Sequence, residues 1–259
     1  MQDLVVTIVQ TALHWQEATQ NRQMFSEKLA AAAPKTDLIV LPEMFTTGFS
    51  MNAAQLAEEP AGETLTWLKE QAKKHNAVIT GSIIVQHDQA FYNRLLWVHP
   101  DGSHQTYDKK HLFRMAKEHH TYTAGSEQLL VQLKGWNIRP LVCYDLRFPV
   151  WSRNVSNSYD LLLYVANWPE ARQLAWSTLL QARAIENLAY TIGVNRVGSD
   201  GNGIPYSGDS AIIHPKGIKL LEASQQEGIF TLTLSKQELT DFREKFPAHL
   251  DADAFSLGQ

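Results

Sequence analysis

Short apolar segments alternate with amphipathic segments in the first third of the chain, and this alternation restricts the fold more than any other feature. It predicts strand, helix, strand, helix and strand in turn, at residues 4–9, 17–33, 37–41, 63–75 and 77–85. Two further strands are joined by Asp101-Gly102, a dipeptide typical of a hairpin, and they cover residues 90–98 and 103–107. A hairpin added to a strand and helix series predicts a mixed sheet rather than a plain doubly wound one.

The rest of the chain continues this mixture. It predicts a long helix at 171–188 and strands at 136–142, 159–166, 190–194, 211–213, 219–223 and 228–234. The last helix, 235–246, begins with a capping box formed by Ser235 and Glu238. An apolar content of 44% over 259 residues is enough for a sizeable core, and no linker-like stretch divides the chain. The sequence therefore predicts one α/β domain over residues 1–259.

The composition excludes several classes of function. A single cysteine rules out an intramolecular disulfide, and no basic region followed by an apolar region opens the chain. No apolar run approaches the roughly 20 residues that span a bilayer. The formal charge of -4 gives no reason to expect nucleic-acid binding. We therefore expect a cytoplasmic protein without nucleic-acid or membrane partners. The glycine-rich loop at 195–203 lacks the Walker lysine, so we expect no cofactor there.

The only cysteine, Cys143, follows the predicted strand 136–142 and precedes a predicted turn and helix. Such a strand-to-helix elbow exposes a side chain at the carboxyl edge of a parallel sheet, where helix-start amides favour developing negative charge. The pattern is typical of a nucleophile. The alternative is a buried cysteine that acts as a small hydrophobic residue, which is the commoner role of a lone cysteine.

Two more reactive side chains follow predicted strands. Glu43 comes after the strand at 37–41, and Lys109 comes after the second strand of the hairpin. Glu43 could instead cap or pair with a neighbouring helix, and adjacent lysines such as Lys109 and Lys110 are usually solvated. The aromatic and apolar flanks of the lysines nevertheless indicate that at least one ammonium points into a crevice.

A carboxylate, an ammonium and a thiol can together perform acyl transfer without histidine. The ammonium favours the thiolate, and the carboxylate can take the thiol proton and later deliver it to a departing amine. Lys109 and the backbone amide of Tyr144 can stabilise the oxyanion.

Three histidines, His111, His119 and His120, suggest two alternatives, a metal site or a cysteine-histidine pair. Their spacing does not place two imidazoles on one helical face, and no second cysteine completes a sulfur-rich zinc site, so no metal is expected.

These residues resemble the motifs of the nitrilase (carbon-nitrogen hydrolase) superfamily. The matching segments are Leu-Pro-Glu43, Tyr-Asp-Lys109-Lys-His-Leu-Phe and Cys143-Tyr-Asp-Leu-Arg-Phe-Pro, in the family's order. The resemblance implies a four-layer α-β-β-α sandwich that dimerises through its α face. It selects Lys109 over Lys110, because the family's lysine stands two residues before the His-Leu-Phe sequence. It also implies a second glutamate seven residues before a glycine, a position that Glu118 occupies relative to Gly125.

The cysteine segment is similar to the Nit2-like branch, the ω-amidases. This similarity implies hydrolysis of the terminal amide of 2-oxoglutaramate or 2-oxosuccinamate, a small-molecule substrate that carries a carboxylate. Arg147 can bind that carboxylate, or it can pair with Asp145 or Glu186. Asn167 and Trp168 either line the pocket or only pack at the elbow. Residues 235–259 are expected at the surface or at the dimer interface.

Three alternative functions remain at this point. Deaminated glutathione amidases, N-carbamoyl amide hydrolases and nitrilases share the same catalytic residues. A catalytically silent binding protein on this fold would be expected to lack at least one of Glu43, Lys109 and Cys143. A cysteine-histidine hydrolase would use His111 or His119.

Overall fold

The computed structural model describes residues 2–256, which form two six-stranded β-sheets stacked face to face. The first five strands are β1 Leu4–Gln10, β2 Leu38–Val40, β3 Val78–His87, β4 Ala90–Val98 and β5 His104–Asp108. The later strands are β6 Val131–Leu133, β7 Trp136–Val142, β8 Leu161–Val165, β9 Tyr190–Val194, β10 Val197–Ser199, β11 Pro205–Ser207, β12 Ala211–Ile213, β13 Lys219–Glu222 and β14 Gly228–Leu234.

Both sheets mix parallel and antiparallel strands, as the hairpin predicts. The first sheet has the order β14-β1-β2-β3-β4-β5, and the second has the order β13-β12-β9-β8-β7-β6. Strands β1 to β3 run parallel, as do β7 to β9, whereas the outer strands of each sheet are antiparallel to their neighbours. The predicted turn between β4 and β5 contains Gly102 with φ +85°, a conformation that glycine adopts without steric strain.

Helices cover the outer faces of both sheets. Their bounds are α1 Ala18–Ala32, α2 Ala53–Leu56, α3 Glu63–His75, α4 Pro149–Ser152, α5 Gln173–Asn187 and α6 Lys236–Lys245. Phe25 of α1 and Leu68 of α3 are buried against the first sheet. Trp176 and Leu180 of α5 are buried against the second. The layers therefore follow the predicted order α-β-β-α.

Strand periodicity divides the apolar residues of the first sheet between two cores. In β1, Val6 and Ile8 face the second sheet, whereas Val9 belongs to the cluster beneath α1 and α3. Trp97 and Trp136 are fully buried among the residues that join the two sheets. Burial on both faces explains why β8, Leu-Leu-Leu-Tyr-Val, is a continuous apolar run rather than an alternating one.

Some local predictions are wrong. The stretch 195–203 is not simply a loop, because Val197–Ser199 pairs with Pro205–Ser207 in a separate two-stranded ribbon. The chain after Cys143 forms a 3-10 helix over Cys143–Arg147 and then the short α4, not one continuous helix. Helix α2, with four residues, and strand β6, with three, are too short to show a periodicity and were not predicted. Of the predicted capping box, the bond from the Glu238 amide to the Ser235 hydroxyl is formed, at 3.3 Å.

The predicted strand ends place the reactive residues close together in space. Strand β2 leads to Glu43, β5 to Lys109, β7 to Cys143 and β8 to Asn167. Among residues 2–256, no helix combines the length and apolar character needed to cross a membrane. The last three residues of the predicted interface segment, 257–259, lie outside the described residues.

Candidate active site

A cavity of about 410 Å³ opens where these strand ends meet. Its wall includes six of the eight predicted site residues, namely Lys109, Cys143, Tyr144, Arg147, Asn167 and Trp168. The remaining two, Glu43 and Glu118, are fully buried behind Lys109 and hydrogen-bond to its ammonium group. The structure therefore brings all the predicted residues into one neighbourhood.

Cys143 occupies a strained position at the end of β7. Its φ of +44° lies in the left-handed region, which non-glycine residues rarely adopt and which often marks a functional site. The side chain is buried, and its sulfur lies 3.9 Å from the carbonyl oxygen of Asn167. This elbow aims the thiol at the cavity from the start of a 3-10 helix.

The buried carboxylate of Asp145 holds this elbow in place. It accepts hydrogen bonds from the amide of Val142 at 3.0 Å and from the hydroxyl of Tyr107 at 2.7 Å. It also accepts bonds from the backbone amide of His111 at 3.0 Å and from its ring at 2.7 Å. Asp145 therefore ties both sides of Cys143 to the segment that follows Lys109.

Glu43 has no exposed surface, and each of its carboxylate oxygens has a donor. One oxygen accepts from the side chain of Asn93 at 2.7 Å and from Lys109 at 2.9 Å. The other accepts from the backbone amide of Asn167 at 2.8 Å. The side chain of Asn167 also donates to the carbonyl oxygen of Glu43. Glu43 is thus held rigidly between the two sheets.

Lys109 lies between two buried carboxylates. Its Nζ is 2.9 Å from Glu43 and 3.0 Å from both carboxylate oxygens of Glu118. Burial opposes the positive charge, but Glu118 and Glu43 outweigh it and raise the pKa of Lys109 above its usual value. Burial also raises the pKa of Glu118, although Lys109 acts in the opposite direction. The amine therefore stays charged at neutral pH.

The pKa of the Cys143 thiol is raised, although the neighbouring ammonium of Lys109 acts to lower it. Burial, followed by the charge of Glu43, raises the pKa of Cys143 well above its usual value, and the opposing effect of Lys109 is smaller. Lys109 does lower this pKa, as expected, but burial and Glu43 determine the net direction of the shift. The resting group is a thiol, and it needs a base to take its proton when it reacts.

Arg147 lies in the wall of the cavity and has no acidic partner among residues 2–256. Its guanidinium carbon is 5.1 Å from the ring centre of Trp168, a cation-π distance. The predicted alternative pairs are not formed, because Asp145 is occupied at the elbow and Glu186 binds Arg183 at 2.8 Å. Arg147 therefore remains available to an anion in the cavity.

This chain is similar in sequence and in fold to known proteins. The model of the carbon-nitrogen hydrolase family matches residues 5–244. The chain belongs to this family. It is 50% identical to the omega-amidase YafV of Escherichia coli strain K12, over 99% of this chain and 100% of that protein. The identity with the 2-oxoglutaramate amidase of Bacillus subtilis is 36%, over 91% of each chain.

The fold of this carbon-nitrogen hydrolase also matches a solved structure over its full length. A superfamily member from Xanthomonas campestris superposes with a TM-score of 0.98 and is 48% identical over 100% of both chains. The structure of that relative contains an arsenic adduct in its active site.

The histidines of this hydrolase do not form a cysteine-histidine pair. His111 binds Asp145, and its ring stacks on Phe148 with centroids 3.7 Å apart. The ring of His119 lies against that of His120, 4.1 Å away. Within residues 2–256, neither imidazole hydrogen-bonds to the sulfur of Cys143, and no group of three or more potential ligands is arranged to hold a metal ion.

Sequence reasoning missed three residues of the site. Asn93 holds Glu43 from the middle of β4, and an asparagine within an apolar strand was the available signal. Asn195 accepts from the backbone amide of Trp168 at 2.8 Å, after β9 has ended. Arg172 also lines the cavity, but nothing in the local sequence distinguishes it from a solvated helix-start arginine.

Proposed function

We propose that this carbon-nitrogen hydrolase is an ω-amidase. It removes the terminal amide of 2-oxoglutaramate or 2-oxosuccinamate and releases ammonia and the 2-oxo dicarboxylic acid. The observation that carries this proposal is one cavity that is lined by Cys143, Lys109 and Arg147, with Glu43 hydrogen-bonded to Lys109 behind its wall. Within residues 2–256, Arg147 has no acidic partner. The omega-amidase and 2-oxoglutaramate amidase that are similar to this chain support the same substrate class.

The first half of the reaction forms a thioester. Glu43 takes the proton of the Cys143 thiol as the sulfur attacks the amide carbon. The carbonyl electrons move to oxygen, and the oxyanion binds Lys109 and the backbone amide of Tyr144. The carbon-nitrogen bond then breaks, and Glu43 returns its proton to the departing nitrogen, which leaves as ammonia.

The second half restores the enzyme. Water that loses a proton to Glu43 attacks the thioester carbon, and the carbon-sulfur bond breaks as the carboxylic acid forms. The proton on Glu43 returns to sulfur. Glu118 orients Lys109 throughout, because its carboxylate is bonded to Nζ and is itself held by the backbone amide of Phe113.

The far end of the substrate binds at Arg147. A guanidinium group can bind a carboxylate through two parallel hydrogen bonds, and Arg147 is half-buried over the ring of Trp168. In this proposal Asn167 has two roles, because it lines the cavity and also holds Glu43. Replacing Arg147 by alanine is expected to raise KM for acidic amides more than it lowers kcat.

The whole chain, residues 1–259, acts in this proposal as one hydrolase domain in the cytoplasm and dimerises through its α face. Leu174 and Ile185 of α5 are 81% and 53% exposed, and Phe246 after α6 is 55% exposed. Large apolar side chains on one face favour a partner surface. Sedimentation should give a dimer for the wild type, and a monomer for Ile185→Glu would place α5 in the interface.

The decisive experiment measures ammonia release from 2-oxoglutaramate by the purified enzyme. Glutamine, an N-carbamoyl amine, deaminated glutathione and an aliphatic nitrile serve as competing substrates, and Cys143→Ala serves as the inactive control. Release from the 2-oxo amide that is lost in the control supports the proposal. Turnover of another compound alone would retain the cysteine chemistry and reject the ω-amidase assignment. Full activity in the alanine variant would reject the nucleophile.

A further inference from the structure

A second unpaired guanidinium lines the same cavity. Arg172, at the end of the 3-10 turn before α5, is half-buried, and its guanidinium carbon lies 5.1 Å from the ring centre of Phe113. The guanidinium carbon of Arg147 lies at the same distance, 5.1 Å, from the ring centre of Trp168. Within residues 2–256, neither guanidinium donates a hydrogen bond or forms an ion pair with an acidic side chain. A guanidinium that lies over an aromatic ring can still donate its N–H groups to other acceptors.

The two arginines are connected through Trp168. The indole N–H of Trp168 donates to the carbonyl oxygen of Arg172 at 2.8 Å, and the face of the same indole carries Arg147. The backbone amide of Trp168 is held in turn by Asn195. The ring beneath Arg172 belongs to Phe113, whose backbone amide binds Glu118. The positions of both guanidinium groups are therefore set relative to the catalytic cluster.

The other charged side chains of the cavity wall, Lys109 and Asp200, already have hydrogen-bond partners. Lys109 is paired with Glu43 and Glu118. Asp200 accepts bonds from the amides of Asn202 and Ile204 and from the hydroxyl of Tyr206. Within residues 2–256, Arg147 and Arg172 are thus the positive groups of the wall that remain for the end of the substrate opposite the amide.

We infer that Arg172 acts with Arg147 to select 2-oxo acid amides against the corresponding 2-amino acid amides. This inference rests on the proposed function. A 2-oxo acid presents only acceptors at this end, a carboxylate and a ketone oxygen, and two guanidinium groups satisfy both. Glutamine and asparagine carry an ammonium group where the ketone would lie. That group is a donor with a positive charge, and two nearby guanidinium groups repel it.

The test compares Arg172→Gln, Arg172→Lys and wild type on 2-oxoglutaramate and glutamine. We expect Arg172→Gln to raise KM for 2-oxoglutaramate about tenfold and to change kcat little, because it removes charged hydrogen bonds to the bound substrate. The ratio of kcat/KM for the 2-oxo amide to that for glutamine should fall about tenfold or more. Arg172→Lys should recover part of this ratio, since it keeps the charge but not the planar edge.

Arg114→Gln is the matched control, because Arg114 is an exposed arginine that follows Phe113 in the sequence and does not line the cavity. It should leave both KM and the ratio unchanged. A purely structural role for Arg172 would lower turnover of both substrates together, which would overturn the inference. An unchanged KM and ratio in Arg172→Gln, with a wild type that is active on 2-oxoglutaramate, would also overturn it. A wild type inactive on 2-oxoglutaramate would instead reject the proposed function itself, and this inference with it.

Discussion

Lys109 places its ammonium nitrogen 2.9 Å from a carboxylate oxygen of Glu43, and neither side chain has any exposed surface. Glu118 provides a second buried carboxylate on the same nitrogen. A charged side chain that is removed from water is stable only when opposite charges or hydrogen bonds compensate it. Each of the three side chains therefore makes the burial of the other two possible. Catalysis and stability therefore depend on the same three groups, and substitutions can separate the two contributions.

Replacing Lys109 by methionine should leave two carboxylates buried without a cation. Removal of one partner from a buried ion pair destabilises proteins by about 3–5 kcal/mol. We expect a loss of this size in the free energy of unfolding measured in urea. Lys110→Met is the control, since Lys110 is half-buried over Trp151 and has no acidic partner among residues 2–256. Equal losses in the two variants would contradict the prediction.

Glu43→Gln should remove the base while keeping the shape of the site. The amide oxygen can still accept from Asn167, but the NH2 group then faces the donors Asn93 and Lys109, so the melting temperature should fall as well. The loss of a positioned base typically lowers kcat by about 10²–10⁴. Steady-state ammonia release measures the effect, with Glu70→Gln on the exposed surface of α3 as control. Activity within a few fold of wild type would remove Glu43 from the mechanism.

Cys143 should make the folded protein less stable at alkaline pH. The unfolded thiol loses its proton near pH ~8.5, whereas the folded thiol keeps it because burial and Glu43 raise its pKa. Above that pH the unfolded state binds fewer protons, so stability falls as pH rises, by about 1.4 kcal/mol per unit.

Cys143→Ala lacks this group, so its stability should decline less steeply above pH ~8.5. Urea unfolding of both proteins between pH ~8 and ~10 gives the two slopes. If the free energies of unfolding of the two proteins change with pH in parallel, the pKa of Cys143 is the same in the folded and unfolded states and the prediction is wrong.

Asp145→Ala should loosen the elbow that holds Cys143 at φ +44°. The substitution leaves the amide of Val142 and the groups of Tyr107 and His111 without their acceptor. Unsatisfied buried donors cost about 1–3 kcal/mol each, and kcat should fall along with stability. Asp88→Asn removes the charge of an 89% exposed side chain at φ +48°, a conformation that asparagine also tolerates, and it should change neither quantity. A stable variant with normal kcat would show that the elbow does not need this clamp.

Gly125→Ala should displace the segment that carries Lys109. A Cβ atom at this position would lie 2.1 Å from the carbonyl oxygen of Asp108, whereas the Gly125 amide donates to the Lys109 carbonyl at 2.9 Å. The backbone must shift, so we expect a loss of both stability and activity. Gly135→Ala is the control. Its φ is +78° with nothing near the new Cβ, and it should cost only about 1–2 kcal/mol and leave kcat unchanged.

Much of this fold was predictable because its signals are local. Apolar periodicity predicted β4, β7, β9 and β14 with their observed bounds, and Asp101-Gly102 predicted the hairpin between β4 and β5. The failures were short elements such as β10, whose pairing partner β11 lies several residues away. A strand of three residues has too little periodicity to be recognised without its neighbour.

The sequence by itself determined which chemistry is available: one thiol, one carboxylate and one ammonium, each placed after a strand. Only the tertiary structure decided how these groups behave. The distance of 2.9 Å from Lys109 to Glu43 joins residues far apart in the chain, and so does the support of Glu43 by Asn93. The protonated state of Cys143 depends on burial, which outweighs the nearby ammonium. Distances and desolvation arise from contacts between distant segments, so they cannot be read from any local pattern of residues.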